Sequence, residues 1–138
     1  MRTVYKMFLA LPIMLALHVF ADYHLQGILA QLKQKDWWGK QKECFPLTKY
    51  KDDYKVALAC HSFEWSFVVM LPMIYTLIQN VNIGAMICYI ALLITNSFLH
   101  YTIDDLKAND KSINLVNDQL LHMIQIGVTW ALWSITGW

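Results

Sequence analysis

Charge is what this chain has least of. Only 15% of its 138 residues are Asp, Glu, Lys or Arg, against roughly 25% in a soluble domain. The formal net charge is +1, so there is no basic surplus of the kind that holds a nucleic-acid backbone. Cysteine is scarce too. Cys44, Cys60 and Cys88 are odd in number and show no CxxC spacing, which argues against a disulfide framework and makes them structural or incidental. Proline is limited to three positions, of which Pro12 and Pro72 fall inside apolar segments and are expected to kink them. Internal repeats and low-complexity tracts are absent.

Apolar residues take the place of the missing charge. They make up 57% of the chain, aromatics 14% with six Trp, and the mean hydropathy is +0.36. That composition is one of an integral membrane protein. Four apolar segments are visible, at about 7–32, 56–79, 83–106 and 115–135, each near the ~20 residues that cross a ~30 Å hydrocarbon core. Backbone groups without water must bond within their own segment, which makes each segment a helix. The expected fold is all-α, a single domain over 1–138 with four transmembrane helices running up-down-up-down. The very short turn 80–82 makes helices two and three an antiparallel hairpin.

Arg2, Lys6, the apolar run that follows and Val19-Phe20-Ala21 mimic a cleavable leader. The apolar pattern continues past Ala21, so the segment is read as a true span. Seven lysines lie in 33–55, with Lys107 and Lys111 in the third connection. The positive-inside rule places both of these loops in the cytoplasm and both termini outside, with Trp130, Trp133 and Trp138 in the outer aromatic belt. Trp37, Trp38, Tyr50 and Tyr54 mark 33–55 as an interfacial loop lying along the headgroups.

The ionisable residues inside the apolar segments repeat a pattern. The first segment has His18 and Asp22, with Gln26 one turn on; the second has His61 and Glu64. The third has Asn96, His100 and Asp104, with Lys107 beyond; the fourth has Asp118, Gln119 and His122. Each His/acid pair is three or four residues apart, on one helix face. In an up-down-up-down bundle the four pairs meet at one depth, toward the cytoplasmic side. An isolated carboxylate there costs several kcal/mol, so such groups face the interior and pair. A divalent cation held by His18, Asp22, His61, His100, Asp104, Asp118 and His122 offsets that cost. Zinc takes three or four such ligands, and this set is large enough for two metals. A metal-free hydrogen-bond network or a proton path is the alternative. His24 lies off the shared face. Gln26, Glu64, Asn96, Lys107 and Gln119 are read as groups that orient the ligands or touch a substrate.

These blocks, His18-Val-Phe-Ala-Asp22-Tyr-His-Leu-Gln26, an isolated His61, His100-Tyr-Thr-Ile-Asp104-Asp-Leu-Lys107 and Asp118-Gln119-Leu-Leu-His122, occur in order. Together they resemble a domain-of-unknown-function family of small integral membrane proteins of bacteria and their phages, with the pattern HxxxD(F/Y)xLQ, H, HxxxDxxK, DQxxH. The resemblance spans nearly the whole chain. It implies a four-helix fold, a shared polar site and a bacterial inner-membrane location, but no reaction. A looser likeness is to membrane-bound metal-dependent hydrolases.

Three functions from different classes follow. The first is an intramembrane, zinc-dependent hydrolase of a lipid or amphipathic substrate near the inner leaflet, with Asp104 or Asp118 as general base and acid. The second is a membrane factor, phage or bacterial, whose metal only stabilises the bundle and whose 33–55 loop meets a protein partner. The third is a proton or metal transporter, ranked lower because the outer halves of the segments are almost wholly apolar. Membrane lipids are the expected partners, a homo-oligomer is compatible with the pattern, and nucleic acid is not expected.

Overall fold

The computed structural model describes residues 2–79 and 81–135, with side chains from residue 8 onward. Asn80 of the turn, Trp138 of the aromatic belt and the side chains of Arg2 and Lys6 therefore lie outside the described residues. Every described element is helical: α1 (Arg2–Phe20), α2 (Leu29–Leu32), α3 (Lys35–Lys40), α4 (Leu47–Tyr50), α5 (Asp53–Val69), α6 (Leu71–Gln79), α7 (Ile83–Ala108) and α8 (Leu115–Ile135). The four long helices close a ring in which α1 packs on α5, α5 on α7, α7 on α8 and α8 back on α1.

Two of the expected continuous segments are interrupted. After Phe20 the first helix opens into one π-helical turn, Ala21–Leu25, and the chain then breaks at Gln26 and Gly27 before α2. Gly27 has φ +44, a left-handed conformation that costs a glycine little. A π turn carries an extra residue, which re-aims the side chains on it; Asp22, one of them, is turned inward and buried. The second segment starts early, at Asp53, and breaks at Met70, where α5 and α6 meet at 50°. Pro72 explains the break. It has no N–H to donate to the carbonyl four residues back, and its ring would press on that carbonyl, at Val68. Pro12, by contrast, sits inside α1 without interrupting it.

Helix starts follow local chemistry. The Asn82 side chain accepts from the backbone N–H of Gly84 and Ala85, at 2.7 and 3.3 Å, and caps α7. Asn114 accepts from Asn117 N–H and does the same for α8. Several helical hydroxyls bond back to their own turn, as Ser62 does to Leu58 and Ser97 to Leu93, whereas the buried hydroxyls of Ser66 and Ser134 do not.

Among the described residues two helical stretches are long and apolar enough to cross a membrane, Phe8–Leu25 and Ile83–Ala108, and the bent pair α5–α6 makes a third if it is one span. Helix α8 has the length, about 31 Å at 1.5 Å per residue, but its inward face carries Asp118, His122, Gln125 and Thr129. The chain is built with its polarity inside. Phe98, Ile87, Ile94 and Val116 are more than 60% exposed, whereas His18, His61, His100, His122 and Asp118 are at most 1% exposed. An apolar core of Met14, Met70, Met73, Ile126 and Trp133 fills the other half of the bundle, with Trp65 between it and the histidines.

Candidate metal centre

The polar half is organised around His100. It stands on α7, and its ring stacks between two neighbours: Trp65 of α5 at 4.1 Å between centroids and His122 of α8 at 4.3 Å. Its two nitrogens point opposite ways. Nε2 is 3.3 Å from Nε2 of His61, and Nδ1 is 3.2 Å from Nδ1 of His122. Each such nitrogen pair needs a proton or a shared cation between two lone pairs.

Asp22, from the π turn, completes a triangle with the first pair. Its Oδ1 lies 3.5 Å from His61 Nε2 and 3.8 Å from His100 Nε2. Four donors held at ~2.0–2.1 Å around a tetrahedral zinc ion lie roughly 3.3 Å apart. The edges observed, 3.3, 3.5 and 3.8 Å, are those of one tetrahedral face opened slightly. Asp22 Oδ1 is buried and takes part in no hydrogen bond, as expected of an oxygen reserved for a cation. Asp104 Oδ2 also approaches this pair, 3.4 Å from His61 Nε2 and 3.7 Å from His100 Nε2, so a fourth protein donor stands beside the trio, as zinc's four-coordinate preference allows.

A second group, His100, Asp104 and His122, has its donor atoms within 4.8 Å of one another and shares His100 with the first. His122 Nε2 is 3.4 Å from Asp104 Oδ1 and 3.4 Å from Asp118 Oδ1, yet His122 Nε2 and Asp118 Oδ1 make no hydrogen bond. The residues present thus fit one divalent cation at the first group and have the donors for a second beside it.

His18 is placed differently. The Trp65 indole N–H donates to its Nδ1 at 3.0 Å, and its Nε2 is 3.0 Å from Gln119 Oε1. An indole nitrogen only donates, so Nδ1 accepts, Nε2 carries the proton and His18 is the neutral Nε2–H tautomer. Both nitrogens are used by protein groups, and His18 belongs to neither metal-competent trio. The Gln119 amide passes the contact on, donating to Asp22 Oδ2 at 3.2 Å and Asp118 Oδ2 at 3.0 Å. His18, Trp65 and Gln119 therefore hold the carboxylates in place, the role that outer partners play at metal sites.

Two lysines close the edge of the cluster. Lys33 donates to Asp104 Oδ2 at 2.6 Å, and Lys107 to Asp118 Oδ2 at 2.6 Å. The Lys33 side chain is 12% exposed and the Lys107 side chain 35%, so these ammoniums are the part of the site that water reaches. Lys33 is itself held by the connection that follows it. Asn109 of the α7 end accepts from Lys35 N–H and donates to the Lys33 carbonyl, and Lys111 pairs with Asp36 at 2.5 Å. That ammonium keeps the exposed Asp36 carboxyl below the ordinary carboxylate range. The rest of the 33–55 loop carries its own small aromatic core. Trp38 is buried, stacks on Tyr50, meets Trp37 and Phe45 edge-on and donates to the Leu32 carbonyl.

Of the other candidates, Asn96 sits one turn above His100 in a separate polar layer. Its Oδ1 accepts from Gln125 Nε2 and Thr129 Oγ1, both at 2.9 Å. Gln26 is half-buried, with its Oε1 in no hydrogen bond. Glu64 is half-buried and is in neither metal-competent group. His24 is exposed, its ring 5.8 Å from that of Phe20. Sequence reasoning did not select Trp65, Lys33, Gln125 or Thr129. The first had a signal, since it lies four residues after His61 on the same face. Lys33 had none, being one of seven lysines in its loop. No family model matches the chain, and neither the curated proteins nor the solved structures contain a match.

Proposed function

We propose that this chain is an intramembrane metal-dependent hydrolase, most simply zinc-dependent, acting on a lipid or amphipathic substrate near the inner leaflet. The observation that carries the reading is the buried triangle of Asp22 Oδ1, His61 Nε2 and His100 Nε2, with edges near those of a tetrahedral site and one carboxylate oxygen left unbonded. In this reading α8 is a fourth span whose polar face is turned wholly inward. The helices run up-down-up-down, both termini are outside the cytoplasmic membrane, and the four motif blocks are those of the bacterial and phage family they resemble.

A divalent cation at this position supplies Lewis acidity and a water acidified toward pKa ~7. The remaining work belongs to the chain. Asp118 Oδ1, beside His122 Nε2, is placed to accept a proton as general base and return it to the leaving group, with Asp104 Oδ1 as its partner at the same nitrogen. Lys33 and Lys107 each neutralise one oxygen of these carboxylates and present positive charge to an anionic headgroup or developing oxyanion.

A second reading has its own observation. The buried layer of Asn96, Gln125 and Thr129 extends the polar column beyond the histidines, which favours a proton or metal path over a metal that only stabilises the bundle for a protein partner of the 33–55 loop. Elemental analysis of the purified protein and a lipid-hydrolysis assay decide between them. The hydrolase reading expects a stoichiometric metal that His61→Ala removes, together with its activity. Absence of the metal, or metal or proton flux in proteoliposomes without hydrolysis, overturns it.

A further inference from the structure

Between α7 and α8 a groove of about 240 Å³ opens on the outer surface of the bundle. Its walls are apolar, with Leu99 and Ile103 on α7 and Ile124 and Val128 on α8. Ile124 and Val128 are about half exposed, at 54% and 52%, and on a membrane-spanning helix that exposure faces hydrocarbon. The floor is not apolar. It is made by Asn96, Gln125 and Thr129, each buried to 6% exposure or less.

The hydrogen bonds of this floor leave a specific remainder. Gln125 Nε2 donates to Asn96 O and Oδ1, at 2.8 and 2.9 Å. The Thr129 hydroxyl is shared between Asn96 Oδ1 and the Gln125 carbonyl, at 2.9 and 2.8 Å, and Asn96 Nδ2 donates to the Leu92 carbonyl and the Met70 sulfur. Every donor is used. Gln125 Oε1, buried, accepts nothing. A buried acceptor without a donor costs about 1–3 kcal/mol, and hydrocarbon cannot satisfy it. The groove therefore asks for an apolar chain that carries one N–H or O–H donor, the usual composition of a ligand pocket being apolar walls with a few placed polar groups.

Position ties the groove to the metal centre. Asn96 is one turn from His100 on α7, about 6 Å along the axis, and Gln125 is three residues from His122 on α8, about 4.5 Å. We infer that the α7–α8 groove binds the acyl chain of a lipid amide, whose N–H bonds Gln125 Oε1 and whose neighbouring carbonyl is thereby brought toward the His100–His122 end of the bundle. This inference rests on the hydrolase reading for its substrate role, but the groove and its donor requirement stand on their own geometry.

The test uses the full chain in nanodiscs with two photoreactive probes of equal length, a diazirine-tagged fatty amide and the matching ester, which lacks the N–H. Labelled residues are mapped by mass spectrometry. The amide is expected to label the α7–α8 groove roughly threefold to tenfold more than the ester, the factor one neutral hydrogen bond supplies. Ile124→Trp and Val128→Trp, at exposed wall positions that tolerate bulk, are expected to abolish that labelling, and Gln125→Leu to equalise the two probes. Equal labelling by amide and ester in the wild type, or labelling that survives Ile124→Trp, overturns the inference. Labelling does not need the metal, so it should persist in chelator. Groove labelling without hydrolysis of the amide would sink its substrate role and leave the groove standing, whereas hydrolysis untouched by Ile124→Trp would leave the hydrolase reading standing and sink the groove as its route.

Discussion

The two halves of the bundle are held together by different physics. In the half that contains His100, side chains from α1, α5, α7 and α8 meet in one network of carboxylates, imidazoles, an indole and two ammoniums, and none of these groups lines the α7–α8 groove. In the other half, α6 leans away from α5 by 50° and leaves an apolar cleft of about 400 Å³ lined by α1, α6 and α8, with Leu9, Ile13, Pro72 and Trp130 among its walls. Lipid tails are as apolar as leucine, so apolar helix faces gain little by meeting each other, and packing there can stay open. A buried carboxylate has no such indifference. It must meet a partner, and the partners are on other helices. The polar half therefore specifies the arrangement and the apolar half tolerates gaps.

Substitutions break this comparison in a graded way. The largest effect is expected from His100→Ala, which removes the residue common to both metal-competent groups. Metal affinity should fall by more than the 10–100-fold typical of losing an outer partner, read by elemental analysis and isothermal titration, while the helical content by circular dichroism is retained. Next is Asp104→Asn, which leaves the Lys33 ammonium, 12% exposed, without its carboxylate. Stripping a buried charge of its partner costs on the order of 3–5 kcal/mol; some discount applies because Lys33 is not fully enclosed. Reversible unfolding in detergent should show the loss even in chelator, which separates the ion pair from the metal.

Smaller is Trp65→Phe. The ring stays to stack on His100, but His18 Nδ1 loses its donor, at a cost of about 1–3 kcal/mol for an unsatisfied buried acceptor. Metal affinity should drop about tenfold through the loosened His18–Gln119–Asp22 chain. Smallest is Leu9→Ala in the wall of the apolar cleft, a 62% exposed position expected to stay within about 0.5 kcal/mol of wild type and to leave metal binding unchanged. A large loss there would show that the apolar half is as tightly specified as the polar half.

How far the site was legible can be argued from particular residues. His61, His100, Asp104, Asp118 and His122 could be picked out because an ionisable residue in an apolar segment is conspicuous, and a spacing of three or four shows that it shares a face with its neighbour. The same logic named His18, which the fold instead gives to Trp65 and Gln119. Nothing in the spacing distinguishes a nitrogen that binds an ion from one that accepts an indole proton; that depends on which ring faces it from another helix. Asp22 was named on the same spacing, four residues after His18; that it sits on a π turn and meets the rings of His61 and His100 is what the spacing did not show. Lys33 was hidden among like residues, and Gln125 and Thr129 among apolar ones in a stretch that read as part of a featureless outer half.

Composition and pattern alone thus determined that the chain is helical, that its apolar residues face outward and that four His/acid pairs lie on helix faces; they expected a kink at both Pro12 and Pro72, and only Pro72 lies at a break. These are consequences of local chemistry: backbone satisfaction, helical period and the missing proline N–H. Which groups meet was decided only by the tertiary structure. The Asp22–His61–His100 triangle, the exclusion of His18, the lysines at the edge and the unbonded Gln125 oxygen each depend on side chains brought from distant parts of the chain to within 4 Å. At that range a shift of one ångström separates a ligand from a bystander.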